Sequence, residues 1–236
     1  PRASEVAFSG FTAAGTPKAV PRALAARAAR ERDAGQPLDL KVLAGASTGA
    51  VDELLAQAGA IAWRAPFQSS PTLREQINTG RVRFVDMHLS HLPQLIEFGF
   101  FGAIDWAVVE ATDITPDGRV YLTTSSGATP SFLRHASKVI IELNAAQSSR
   151  LAEMHDVAIL PRPPHRQPIG IREPLDRIGT PYARVDPSKV VGVVRTDEPD
   201  AIAPFDSPGP ACAAIAGHIE EFLVREMREG RVPREF

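Results

Sequence analysis

Short apolar runs rich in β-branched residues alternate with longer helical patterns along the chain as far as about residue 143, which is the alternation of an α/β domain. Val6-Ala7-Phe8-Ser9 reads as the first strand, and Lys18 to Arg32, rich in Ala, Leu and Arg, as the first helix. Lys41-Val42-Leu43-Ala44-Gly45 follows as a strand, with Ser47 or Thr48 near the start of a helix through Val51-Asp52-Glu53-Leu54-Leu55. A short strand at Ala60-Ile61-Ala62-Trp63, a helix from Pro71 to Asn78 and a strand at Val82-Arg83-Phe84-Val85-Asp86 continue the series. Ile104 to Glu110 is the central strand, and Lys138-Val139-Ile140-Ile141-Glu142 is another. These runs are short and continuously apolar, as buried parallel strands are. The turn Thr115-Pro116-Asp117-Gly118-Arg119 leads into Val120-Tyr121-Leu122-Thr123, which predicts a hairpin attached to the sheet. The expected fold is therefore α/β, with a mostly parallel but mixed sheet covered by helices.

Beyond that region the pattern changes. Repeated prolines between Pro161 and Pro187 predict an irregular excursion rather than a layer of structure. Lys189 to Arg195 restores a strand, Thr196 to Pro210 is an acidic, proline-rich connection, and Ala211 to Arg228 forms a helix with Ile215, Ile219, Phe222 and Leu223 on one face. Residues 229–236 read as the start of a linker, and Pro1 beside a strand, without an initiator Met, leads us to expect sequence upstream.

With 236 residues and 44% hydrophobic composition the chain can bury a sizeable core. Twenty-six basic against 28 acidic residues leave a formal charge of -2, so no overall field favours nucleic acid or an anionic membrane. The longest apolar runs fall far short of a membrane span. Cys212 is the single cysteine, which rules out a disulfide within the chain and fits a reducing compartment; a cytoplasmic location is expected. We expect Cys212 to be buried in helix packing rather than to act as a nucleophile.

The most informative local feature is Ser9-Gly10-Phe11-Thr12-Ala13-Ala14-Gly15-Thr16-Pro17-Lys18. It leaves a strand and enters a long helix, where glycines and free backbone N–H groups can hold an anionic or amide-rich ligand; the same glycines also serve as plain turn residues. Gly10, Phe11, Thr12, Gly15 and Lys18 are the first substrate-binding candidates, although Lys18 reads equally as a solvated helix-end lysine. Ser47 and Thr48, Gln68-Ser69-Ser70, and Thr124 with Ser125 are further candidates, with helix capping or turn formation the competing role for each. Arg64, Arg74 and Arg81 offer other anion contacts. Asp105, Glu110 and Asp113 surround a strand end where they could orient a polar ligand. A complete Walker motif, a nucleophile elbow and a His-Glu-x-x-His motif are missing from the sequence. His88 and His91 supply only two of the ligands a zinc site needs, so a core, capping or polar-network role is expected for them and no metal is expected.

The chain resembles the N-terminal domain of the acetyl-CoA hydrolase/transferase family, which includes succinyl-CoA:acetate CoA-transferases. The resemblance rests on the Ser9 to Pro21 segment, Ala62-Trp63-Arg64-Ala65-Pro66-Phe67-Gln68-Ser69-Ser70, Leu73 to Asn78, Asp86-Met87-His88-Leu89-Ser90-His91 and Asp105 to Ala111. Late in the chain, Asp176-Arg177-Ile178-Gly179-Thr180-Pro181-Tyr182 and Lys189 to Val194 agree in order and spacing. It implies a CoA-transferase-type domain over residues 1–236, acyl-CoA and a small carboxylate as ligands, coenzyme A as substrate with no tightly bound cofactor, and a homodimeric intact protein. It further implies that the nucleophilic glutamate lies in a C-terminal domain beyond this chain, so neither Glu110 nor Glu142 is assigned that role and residues 1–236 are expected to be inactive alone.

Overall fold

The computed structural model describes residues 4–47, 50–201 and 205–232. The chain divides into two compact units, Pro1–Ala201 and Ile202–Phe236.

The first unit is built on a nine-stranded sheet. Strands β1 (Glu5–Phe8), β2 (Leu40–Ser47), β3 (Ile61–Gln68) and β4 (Arg83–Phe84) run outward in order, joined by helices α1 (Ala19–Asp33), α2 (Ala50–Gln57) and α3 (Pro71–Asn78). All of these pairings are parallel, with Val6 opposite Val42 and Leu43 opposite Ala65. The chain then returns through α4 (His91–Glu97) to β5 (Ile104–Ile114), which pairs with the other side of β1, Val6 opposite Trp106. Beyond β5 lie β7 (Ala136–Asn144) and β9 (Val190–Thr196), again parallel. The far end of β5 turns into an antiparallel extension with β6 (Arg119–Leu122) and β8 (Ala183–Arg184). Gly118, at φ 82°, closes this hairpin. Helix α5 (Thr129–His135) connects β6 to β7.

The sheet separates two cores. Phe8, Val42, Leu55, Ile61 and Leu73 are buried under α1, α2 and α3, while Leu43, Ala107, Val109, Phe132, Leu133 and Ile141 fill the other face with α4 and α5. Side chains such as Phe8, Leu43 and Ile141 are fully buried, each worth about 1.5–3 kcal/mol relative to exposure.

Four elements differ from the sequence reading. Strand β3 continues past Trp63 to Gln68 because Arg64 is neutralised in place: it is fully buried and donates to both carboxylate oxygens of Asp52 at 2.9 and 3.1 Å. Strand β4 shrinks to two residues at the sheet edge. Helices α4 and α5 have seven residues each, too few to display a helical period among their prolines. Residues 161–182 contain no helix or strand.

In the second unit, α6 (Pro210–Arg228) ends on a pair between Glu226 and Arg231, whose Nη2 lies 2.7 Å from Oε1. Cys212, expected to be packed away, is exposed within this unit.

Candidate functional site

The strand order reverses direction between β1 and β5, and in open parallel sheets the crevice at the carboxyl ends of such a pair is the natural ligand site. Two sequence features arrive there together. The glycine loop leaves β1 at Ser9, and Glu110 and Glu142 stand opposite each other at the ends of β5 and β7.

The loop is held by its own hydrogen bonds. Phe11 and Ala14 exchange backbone bonds at 2.9 and 3.1 Å, and Thr12 N–H reaches the Ala46 carbonyl at 2.5 Å. Gly10 (φ 113°), Thr12 (φ 58°) and Gly15 (φ 64°) occupy left-handed backbone that side chains rarely adopt. A Cβ on Gly15 would lie 2.6 Å from Ser125 Oγ, so the loop and the 123–125 segment must touch here. Ser125 Oγ donates to the Ala14 carbonyl at 2.8 Å. Ser9 Oγ donates to the Gly15 carbonyl and accepts from Glu110 N–H, both at 2.9 Å.

The helix N-terminus that invited an anion already has one. Glu142, fully buried, accepts from the N–H groups of Lys18, Ala19 and Val20 at 2.6, 3.0 and 3.0 Å. Its carboxylate does at α1 what a ligand phosphate does at other helix starts.

Lys18 is not solvated. Its ammonium lies between two carboxylates, donating to Glu110 and, at 2.8 Å, to Asp200 Oδ1; the side chains of Lys18, Glu110 and Asp200 are 13%, 0% and 3% exposed. Thr123 Oγ1 donates to Glu110 at 2.8 Å and Asn144 Nδ2 at 3.1 Å. Asp200 also accepts from Thr124 Oγ1 at 2.5 Å and Gly15 N–H at 3.4 Å. Burial pulls the Lys18 pKa down, but the hydrogen bonds and charges of Asp200 and Glu110 outweigh it and hold the ammonium above its ordinary value. Burial pushes the Asp200 carboxyl up, yet its donors win and hold it below the usual range. For the more deeply buried Glu110, burial dominates over Lys18, Thr123 and Asn144 and its carboxyl is pushed up.

Beside this network lies a cleft of about 610 Å³ whose walls include Lys18, Arg22, Glu53, Ser69, Ser70 and Glu198. On the other side of the loop, Phe11, 41% exposed, stands over an apolar hollow of about 240 Å³ with Gly45, Leu89, Leu92, Pro93 and Ala128. Gly45 has no room for a side chain, since a Cβ would lie 2.6 Å from the Gly10 carbonyl.

Of the residues singled out from sequence, Gly10, Phe11, Thr12, Gly15, Lys18, Thr124 and Ser125 come together around this loop. Ser47 and Ser69 meet at the ends of β2 and β3, where Ser69 N–H donates to the Ser47 carbonyl at 3.0 Å, and Gln68 is opposite Ser47 in register. Ser70 caps α3, accepting from Leu73 N–H at 3.0 Å and donating to Glu53 at 2.5 Å, and Thr72 Oγ1 also donates to Glu53; these two hydroxyls hold the Glu53 carboxyl below its ordinary value. Thr48 lies outside the described residues. Arg64 is sealed in its pair with Asp52, and Arg74 and Arg81 are exposed. Asp105 sits at the opposite end of β5 and accepts from Glu5 N–H at 2.9 Å, whereas Asp113 binds the N–H of its own neighbour Ile114 at 2.8 Å. The three acids of that strand therefore share no site. His88 Nδ1 pairs with Ser90 Oγ at 2.7 Å. Among the described residues no group of three His, Cys, Asp or Glu side chains is placed to hold a metal, and no described helix is long and apolar enough to cross a membrane.

Asp200, Asn144, Thr123 and the helix-capping role of Glu142 were not anticipated. The signal for Glu110 and Glu142 was present: a carboxylate inside an apolar strand run must be paired.

A family model described as the acetyl-CoA hydrolase/transferase N-terminal domain matches residues 2–195. A propanoyl-CoA:succinate CoA transferase of Escherichia coli K12 is 49% identical over 232 residues, covering 98% of this chain and 47% of that protein. An acetyl-CoA hydrolase of Schizosaccharomyces pombe is 41% identical over 236 residues, covering 97% and 45%. The chain thus spans about half the length of these relatives. Among solved structures, RipA from Yersinia pestis superposes with a TM-score of 0.59 at 20% identity, over 92% of this chain and 44% of that one, a likeness of fold.

Proposed function

The chain belongs to the acetyl-CoA hydrolase/transferase family, and we propose that it is the N-terminal portion of a CoA-transferase that moves CoA from an acyl-CoA such as succinyl-CoA to a small carboxylate such as acetate. The observation that carries this reading is the 49% identity to a CoA transferase along nearly the whole chain. Hydrolysis of acetyl-CoA is the second reading, favoured by the 41% identity to a hydrolase; a freestanding, inactive binding domain is the third.

The site's chemistry supports a supporting role for this portion. Glu110 is fully buried and held by three donors, Lys18, Thr123 and Asn144, and Glu142 caps a helix, so neither is free to attack a thioester. We assign the nucleophile to a glutamate in a C-terminal domain of the intact protein. In that scheme the glutamate attacks the acyl-CoA carbonyl, giving a mixed anhydride and CoA thiolate; the thiolate attacks the glutamyl carbonyl, giving glutamyl-CoA and the free acid. The acceptor carboxylate reverses both steps, and water in its place gives hydrolysis. Residues 1–236 would contribute a wall of the acyl pocket, with Phe11 and its hollow facing the substrate, and would exclude water from the anhydride. The intact protein is proposed to be a homodimer.

Borohydride or hydroxylamine trapping of glutamyl-CoA in the intact protein, with acetate and water compared as acceptors, tests the reading. Transfer to acetate that outruns hydrolysis supports it; turnover with no glutamyl-CoA adduct refutes it.

A further inference from the structure

After Thr196 the chain crosses the carboxyl ends of β7, β5 and β1, and it does so without joining the sheet. The last backbone bond to the sheet region is from Ala145 N–H to the Thr196 carbonyl at 2.8 Å. From there the hydrogen bonds that anchor residues 197–201 each involve a polar side chain. Asn144 grips Glu198 through both its backbone groups, at 2.7 Å to the carbonyl and 3.3 Å from the N–H. Arg22 holds the Glu198 carboxylate at 2.7 and 2.9 Å. Asp200 is held by Lys18, Thr124 and Gly15. None of residues 197–201 is buried as a whole residue, and none belongs to either hydrophobic core. Glu198, Pro199 and Ala201 nonetheless form one wall of the 610 Å³ cleft.

The electrostatics make opening inexpensive. Lys18 is shared by two carboxylates, and when Asp200 leaves, Lys18 keeps Glu110, which keeps Thr123 and Asn144. Opening therefore strands no unpaired charge in the domain, and the carboxylate that departs goes into water. A segment held only by polar anchors, with no buried apolar contact, belongs to the low-stability end of a fold.

We infer that residues 197–201 are a strap that gates the cleft, latched by Asp200 onto Lys18, Thr124 and Gly15. The closed strap narrows the cleft beside the glycine loop, and its release widens the approach to Lys18 and Ser69. The inference does not depend on the acyl-CoA reading, which stands or falls on turnover.

Hydrogen exchange on the intact protein tests it, with peptides over 197–201 compared with 139–143 of β7. Asp200→Asn and the milder Thr124→Val each remove part of the latch, and Thr124→Val leaves the ion pair in place. Asp200→Asn, which removes the ion pair with Lys18, should raise exchange in 197–201 by about tenfold or more, and Thr124→Val, which removes one hydroxyl-to-carboxylate bond, by a smaller factor of a few-fold to about tenfold. Both should leave β7 unchanged, and added salt should speed strap exchange in the wild type. If Asp200→Asn does not fold, Thr124→Val decides alone. Unchanged exchange in the strap, or an equal rise in β7, would overturn the latch.

Discussion

Replacing Lys18 with Met removes the one cation that Glu110 and Asp200 share, while keeping the length of the aliphatic stem. Two carboxylates, 0% and 3% exposed, would then face each other across the space the ammonium filled. Breaking a buried pair by removing one partner costs about 3–5 kcal/mol, because the remaining charge is left uncompensated. In a domain of this size each kcal/mol lowers the melting temperature by roughly 2–4 °C, so a fall of roughly 6–20 °C is expected. The pH dependence separates this mechanism from simple loss of packing. The wild-type Asp200 carboxyl is held below its ordinary value, so its contribution is present above the unfolded pKa of about 3.9 and is lost as pH falls through the lower folded value. Lys18, held above its ordinary value, contributes fully below the unfolded pKa of about 10.4 and loses that contribution as pH rises through the folded value. In Lys18→Met the carboxylates gain stability by taking up protons, so the deficit relative to wild type should be largest near about pH 7 and shrink toward about pH 5. Adding Glu110→Gln to Lys18→Met should recover much of the loss, a coupling that a double-mutant cycle measures. Urea unfolding at the two pH values is the assay. A deficit below about 1 kcal/mol at neutral pH, within reach of an exposed ion pair, would refute the reasoning, as would a deficit that does not change with pH.

Three other perturbations probe separate parts of the account. Glu142→Gln keeps the shape of the α1 cap but removes its charge, and should lower stability by about 1–2 kcal/mol with an unchanged denaturant slope, read from urea midpoints. Gly118→Ala should be much more harmful than Gly80→Ala: both have left-handed φ, of 82° and 77°, but a Cβ at Gly118 would lie 2.1 Å from the Val185 carbonyl while Gly80 has nothing within 4 Å. Thermal melts should show only the left-handed penalty of about 1–2 kcal/mol for Gly80→Ala and a clearly larger loss for Gly118→Ala. If Phe11 walls the acyl pocket as proposed, Phe11→Ala in the intact protein enlarges the apolar hollow and should raise kcat/KM for butanoyl-CoA relative to acetyl-CoA by about tenfold, the scale of one or two methylenes in a pocket.

The layered fold was legible because each buried strand carries a run of apolar residues, and each helix joining β1 to β4 has its own period and breakers. What local pattern could not supply was pairing between distant residues. Arg64 read as a strand end because its partner Asp52 lies on α2, twelve residues earlier. The glycine loop stood out in the sequence as the first candidate, yet N–H groups expected to hold an anion are engaged by Glu142 and Asp200, 124 and 185 residues away along the chain in the bonds they make. Asp200 itself sat in a stretch whose prolines and acids resemble any solvated connection, and only the folded chain brings it to Lys18. Phe11, by contrast, stands half-exposed over its apolar hollow, a placement that a loop residue's own sequence neighbours do not reveal.

The central claim is that this portion shapes a site whose attacking carboxylate comes from elsewhere in the intact protein. Its most direct test is a CoA-transfer assay with succinyl-CoA and acetate, run on purified residues 1–236 and on the intact protein side by side. We predict acetyl-CoA formation by the intact protein and none above background by residues 1–236. Sustained transfer by residues 1–236 free of any longer chain would contradict the account.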